Sequence, residues 1–173
     1  MSSMKSRYDI NSRPEIIKLG RDFYTGDVLD VAPGLLGKTL AIKPSDGIVK
    51  RFTITETEAY RGRDDKACHA SRGRTPRTDV MFHEGGKLYV YFVYGMYWML
   101  NVVTGKEDDP QAALIRGLEG CNGPGRVARL LGIDRSFYGE DLALSDRIWI
   151  DYAGEYWKNV PWRFYIGQGG ASK

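Results

Sequence analysis

The chain has 173 residues, enough for one domain of ordinary size and too few for two. With 42% hydrophobic and 27% charged residues it can bury a core, which excludes disorder by composition, and no apolar run nears the ~20 residues of a membrane span. Its formal net charge of +3, from 25 basic and 22 acidic side chains, is too small to argue for or against nucleic acid.

The N-terminal residues 1–20 are polar and carry Pro14, so they are expected to form a loose arm with a short helical piece around Pro14–Leu19. The start, Met1 to Arg7, leads into polar residues without an apolar signal core. An intracellular protein is therefore expected, cytoplasmic in a bacterium and nuclear in a eukaryote. Cys68 and Cys121 then read as free thiols. One domain is expected over 21–173.

Thr25 is placed to cap a helix starting near Asp27, with Val28, Leu29, Ala32, Leu35 and Leu36 as its apolar face. Pro33 and Gly34 predict a kink or an early stop in it. Thr39–Lys43 and Ile48–Tyr60 read as strands joined by the turn Pro44-Ser45-Asp46-Gly47. Leu88–Thr104 is dense in Tyr, Val, Phe and Trp and too long for one strand. It divides into a hairpin, Leu88–Val93 and Tyr97–Thr104, turning at Tyr94-Gly95. Ala112–Leu118 is a further strand. Gly123-Pro124-Gly125 opens a helix with Val127, Leu130 and Leu131 inward and Arg126 and Arg129 outward, closed by Gly132. Arg147–Ile150 and Arg163–Ile166 complete the strands. The mixture predicts an α+β fold: one compact domain with a mostly antiparallel, curved sheet, flanking helices and a protruding hairpin.

Chemistry concentrates in a few places. On a strand, Ile54, Glu56, Glu58 and Tyr60 share one face, with Thr53, Thr55, Thr57 and Ala59 on the other. Two carboxylates on a core face are costly unless paired, so the segment is either an exposed edge strand or a site where a carboxylate accepts a proton from water. His69 lies within a basic stretch, Arg61 to Arg77, holding Arg61, Arg63, Lys66, Arg72, Arg74 and Arg77 against Asp64 and Asp65. That loop suits phosphate contact or plain solvation. No HExxH or CxxC spacing accompanies Glu58, Cys68 and His69, so no metal is expected. Most rings of Tyr89, Tyr91, Tyr97 and Trp98 belong to a sheet core. Tyr94 differs, because a ring at a hairpin tip gains little burial and has the shape of a wedge for stacked bases. Tyr91 and Tyr60 together would suit a flat, electron-poor or cationic ligand. Gly-Pro-Gly before a helix is an anion site in principle and common punctuation in practice.

These residues together resemble the alkyladenine (3-methyladenine) DNA glycosylase family. The matching runs are Glu56-Thr57-Glu58-Ala59-Tyr60, His69, Arg74-Thr75-Pro76-Arg77, Met81-Phe82, Leu88-Tyr89-Val90-Tyr91 and Tyr94-Gly95-Met96-Tyr97 to Asn101. Leu114-Ile115-Arg116, Gly123-Pro124-Gly125 and Arg163-Phe164-Tyr165 follow in the same order. The resemblance implies that Glu58 activates the attacking water and that Arg116 helps hold both. It implies that Tyr60, His69 and Tyr91 line the pocket, that the backbones of Ala67 and His69 bond the flipped base, and that Asn101 rejects guanine. Tyr94 would fill the gap left in the duplex. Apart from the resemblance, Arg74 and Arg77 of the basic stretch and Gly125 and Arg126 at the helix start are the expected phosphate contacts. The partner implied is double-stranded DNA with damaged purines, bound by a monomer without metal, cofactor or membrane. Many family members carry longer segments between Glu119 and the Gly-Pro-Gly helix and between Trp149 and Ala153, which are nearly absent here. An O-glycosidase using Glu56 and Glu58 together, or a non-catalytic nucleic-acid-binding module, are the rival readings.

Overall fold

A computed structural model describes residues 16–152. Residues 1–15 of the arm, the expected strand at 163–166 and the family-like Arg163-Phe164-Tyr165 run lie outside them. The described end of the arm is neither loose nor helical. Leu19 is fully buried, its N–H donates to the Ile150 carbonyl at 2.8 Å, and Lys18 forms an antiparallel bridge with Asp151. A leucine that fills the core and a strand edge that needs a partner override the local helix signal.

Helix α1 (Arg21–Tyr24) is one turn and leads into α2 (Val28–Leu35). The cap of α2 is Asp27, whose carboxylate accepts the Leu29 N–H at 2.9 Å. Thr25 instead donates its hydroxyl to the Asp22 carbonyl. Asp27 wins because it stands next to the first helical residue and its charge suits a helix N-terminus. Val28, Val31, Ala32 and Leu35 are buried, whereas Leu29 is 54% exposed, off the expected face. Pro33 is tolerated in the last turn and the helix stops two residues later.

Strands β1 (Thr39–Ile42), β2 (Lys50–Arg61), β3 (Leu88–Val93), β4 (Tyr97–Thr104), β5 (Gln111–Leu118), β6 (Cys121–Asn122) and β7 (Ile148–Asp151) form one curled antiparallel sheet. Its order is β3-β4-β5-β2-β1-β7, with β6 paired to the end of β5. Helix α3 (Pro124–Leu131) starts with Pro124 after Gly123 and closes on Gly132, whose φ of 66° is the left-handed cap that glycine adopts freely. Val127, Ala128 and Leu131 are buried, and Leu130 is 45% exposed rather than inward.

The sheet carries a core on each face. The larger joins α2 and α3 to Leu40, Ile54, Leu100, Ile115 and Ile150. The smaller gathers Cys68, Ala70, Val80, Met81 and Phe82, from two short 3-10 turns (His69–Arg72 and Asp79–Phe82), onto Tyr89, Val103 and Ala112. The loop between β2 and β3 thus covers only part of that second face, and the uncovered rim is a pocket.

One backbone crossing is tight. A Cβ on Gly85 would stand 2.2 Å from the Tyr24 carbonyl oxygen, whereas one on Gly20 would touch nothing within 4 Å. Gly85→Ala is expected to lower stability by about 1–3 kcal/mol, read as a fall in the urea midpoint, because backbone and not a mobile side chain must yield. Gly20→Ala is expected to leave the midpoint unchanged or slightly raised.

Candidate active site

Strand β2 is long and irregular. Its pairing with β5 shifts register between Ile54 and Glu56 and again between Glu56 and Thr57. The shifts break the simple alternation expected for this segment. Ile54 does not share a face with Glu58; it lies in the larger core, to which Ala59 also packs, and Thr57 donates its hydroxyl to the Ala32 carbonyl of α2. Beyond the bulge Glu58 pairs with Leu114 and Tyr60 with Ala112. Their side chains turn to the pocket side, with Arg116 from β5.

Both oxygens of Glu58 are engaged. Oε1 accepts the Tyr60 hydroxyl at 2.9 Å and Oε2 accepts Arg116 Nη1 at 2.5 Å. The same guanidinium reaches Glu56 through Nε at 3.3 Å. Glu58 is 40% exposed and Glu56 54%. Glu58 therefore sits at the mouth of the pocket, tied to one of its wall rings, and Glu56 lies beyond Arg116. Burial, and then the bond to Glu58, push the Tyr60 phenol far above its ordinary range, so it stays a donor.

Five of the expected pocket residues, Tyr60, Ala67, His69, Tyr91 and Asn101, line one cavity of about 40 Å³. Met81, Tyr89 and Ala112 complete it. The void suits a water molecule rather than a purine. The His69 and Tyr91 rings lie 4.7 Å apart between centroids at 64°. Asn101 is buried and its amide donates to the Tyr89 carbonyl at 3.2 Å, which fixes its orientation. The Ala67 N–H is already taken by Asp65 Oδ1 at 2.9 Å, so only its carbonyl is free for a ligand. The His69 N–H has no such partner among the described residues. Burial, with Arg77 and Arg72 nearby, holds the His69 imidazole below its ordinary pKa.

Tyr89 was expected only as sheet core. Its ring is buried, but its hydroxyl lies 3.0 Å from His69 Nδ1. Alternation along β3 does place Tyr89 with Tyr91; nothing in the pattern says that its oxygen meets a histidine from a loop.

The hairpin turns through the three residues Tyr94, Gly95 and Met96; Tyr94 (φ 53°) and Gly95 (φ 64°) are both left-handed, and the Met96 N–H donates to the Val93 carbonyl at 3.0 Å. Tyr94 is 90% exposed, and Phe92 and Met96 beside it are also exposed. Of the expected phosphate contacts, Arg126 is exposed on the first turn of α3. Gly125 lies against the Tyr97 ring, where a Cβ would come within 2.7 Å, so its lack of a side chain serves packing there. Arg74 bonds Asp79 at 2.7 Å and approaches Asp108 at 3.6 Å. Arg77 lies over the Tyr91 ring, 5.0 Å from its centroid. Among the described residues no group of three or more His, Cys, Asp or Glu could hold a metal ion, and no helix is long and apolar enough to cross a membrane.

The chain is similar to known proteins over the residues that build this site. Residues 22–121, which hold Glu58, the pocket and the hairpin, match the family model of methylpurine-DNA glycosylase. A protein of Desulfitobacterium hafniense (strain Y51), provisionally named a 3-methyladenine DNA glycosylase, is 41% identical over 194 aligned residues, covering 86% of this chain and 95% of its own. One from Clostridium botulinum (strain Alaska E43 / Type E3), with the same provisional name, is 40% identical over 193, with the same coverage. A third, from Rickettsia felis, also so named, is 43% identical over 147, covering 81% of this chain and 80% of its own. The first two alignments are longer than this chain, so those relatives carry stretches without a counterpart here. The match over more than half of the chain, and identity above 40% across most of it, mean that the protein belongs to the methylpurine-DNA glycosylase family.

Proposed function

We propose that the protein is a monofunctional DNA glycosylase of base excision repair, acting as a single copy. It turns an alkylated purine out of duplex DNA and hydrolyses its N-glycosidic bond with a water activated by Glu58, leaving an abasic site. The observation that carries this reading is the bond between Glu58 and the hydroxyl of Tyr60, whose ring walls the pocket. It puts a general base at the edge of an aromatic slot, where the sugar of an inserted nucleotide would lie.

Eversion of a nucleotide costs roughly a few kcal/mol, least for a damaged base. Tyr94 would enter the minor groove and hold the gap. The His69 and Tyr91 rings are now too close to admit a third, so the base enters by parting them. Alkylation leaves positive charge on the purine, and each ring it meets adds about 0.5–2 kcal/mol of cation–π attraction. A neutral His69 adds no opposing charge. Asn101, its amide fixed, would exclude the exocyclic amine of guanine.

A carboxylate has about four acceptor positions, and Tyr60 and Arg116 occupy one on each oxygen. A free position takes the proton of water as the water oxygen bonds C1′. The C1′–N bond breaks, its electron pair leaves with the base, and a cationic base departs neutral without a general acid. Arg116 fixes Glu58 in place, and the carboxylate charge stabilises the electron-poor sugar. A neutral deaminated purine such as hypoxanthine lacks this leaving-group charge and is expected to react more slowly.

Incubation with duplexes carrying one lesion each tests the proposal. Free alkylated base, recovered by chromatography from an uncut strand, is the expected result. Its absence from every alkylated duplex would sink the enzymatic reading and leave the binding module.

A further inference from the structure

Tyr89 is not explained by the chemistry above. Its hydroxyl lies 3.0 Å from His69 Nδ1, on a side chain that is almost wholly buried. The hydroxyl's single proton must find an acceptor, and among the described residues His69 Nδ1 is the one within reach. Were Nδ1 protonated instead, a buried O–H would be left without a partner. A neutral imidazole whose Nδ1 accepts carries its proton on Nε2. The Nε2 atom has no protein partner among the described residues, and His69 lines the cavity.

We infer that Tyr89 fixes His69 as its Nε2–H tautomer, so that the imidazole meets the everted base as a hydrogen-bond donor. Tyr89 is a positioning residue that acts through His69, and the inference rests on the glycosylase reading for its consequence. A fixed donor favours base edges with a bare ring nitrogen or a carbonyl and penalises edges with N–H groups. The charged groups near the imidazole, Arg77 and Arg72, both oppose its protonation. The tautomer therefore persists at neutral pH, where an imidazolium would donate from both nitrogens and lose that distinction.

Nitrogen-15 NMR of the imidazoles tests this without any assay of activity. The chain has two histidines, and His83 contacts Asp79 through Nε2 and Lys87 through Nδ1. His83→Gln therefore leaves a single imidazole to read, away from the pocket. The expected spectrum at neutral pH has a pyridine-like Nδ1 and a pyrrole-like Nε2. In Tyr89→Phe, which keeps the ring and removes the proton, that signature is expected to give way to mixed tautomers, and single-turnover excision from an alkylated duplex to slow about five- to tenfold. A protonated Nδ1 in the parent protein, or an unchanged signature in Tyr89→Phe, would overturn the tautomer assignment. A lost signature with undiminished excision would overturn the role in base selection. If the parent protein shows the expected signature but releases no base, the glycosylase reading fails while the tautomer assignment stands.

Discussion

Glu58→Gln is expected to slow single-turnover excision by about 10²–10⁴-fold, the usual contribution of a positioned general base. The substitution keeps the size of the side chain and removes its charge. One oxygen then remains to satisfy two donors, the Tyr60 hydroxyl and Arg116 Nη1, which now have one oxygen each. Glu58 is 40% exposed, so the change is expected to leave the unfolding midpoint nearly unmoved. Binding to damaged duplex, measured by anisotropy, should persist, because the stacking rings and Tyr94 are intact. Glu56→Gln is the matched comparison. Among the described residues the Glu56 carboxylate meets only Arg116, at 3.3 Å, in a pair exposed on both sides. Such pairs are worth about 0–1 kcal/mol, so its effect should stay within roughly fivefold. Equal damage from both substitutions would favour a two-carboxylate glycosidase. A wild-type rate in Glu58→Gln would refute the role of Glu58 altogether.

Tyr94→Ala is expected to weaken binding to damaged duplex by roughly 5- to 150-fold, the loss of about 1–3 kcal/mol of stacking. The fold should not notice, since the ring is 90% exposed. Tyr94→Gly sharpens the test. At φ 53° a tyrosine holds a conformation that disfavours a side chain by roughly 1–2 kcal/mol, and glycine is free of that penalty. Tyr94→Gly should therefore bind damaged DNA poorly while unfolding at the same or a higher urea concentration. Unchanged binding in both variants would end the wedge proposal.

How much of this was legible beforehand follows from which forces are local. The hairpin 88–104 was readable to the residue, because aromatic and β-branched runs with Tyr94-Gly95 between them permit few other arrangements. The start and stop of α3 were readable from Pro124 and Gly132. The inward residues of the helices were less so. Leu29 and Leu130 are as apolar as their neighbours, and only the direction of the sheet beneath decides which is covered. The bulges in β2 were invisible, since a register shift is a property of two strands and β5 lies more than 50 residues further on. At the site, Glu58, Tyr60, His69, Tyr91 and Asn101 were singled out from residue type and family likeness, and the fold brings them together. Tyr89 was missed because its ring satisfies the core pattern while its oxygen does something else.

Glu58 and Arg116 project from β2 and β5, adjacent strands in the interior of the sheet, whereas Tyr94 stands in the turn that follows the edge strand β3. At Glu58 the ladder runs on one flank only, to Leu114 of β5, and the Arg116 carbonyl accepts the Gly123 N–H at 2.8 Å, next to the start of α3. A displacement of α3 would therefore reach the ion pair through the backbone of β5.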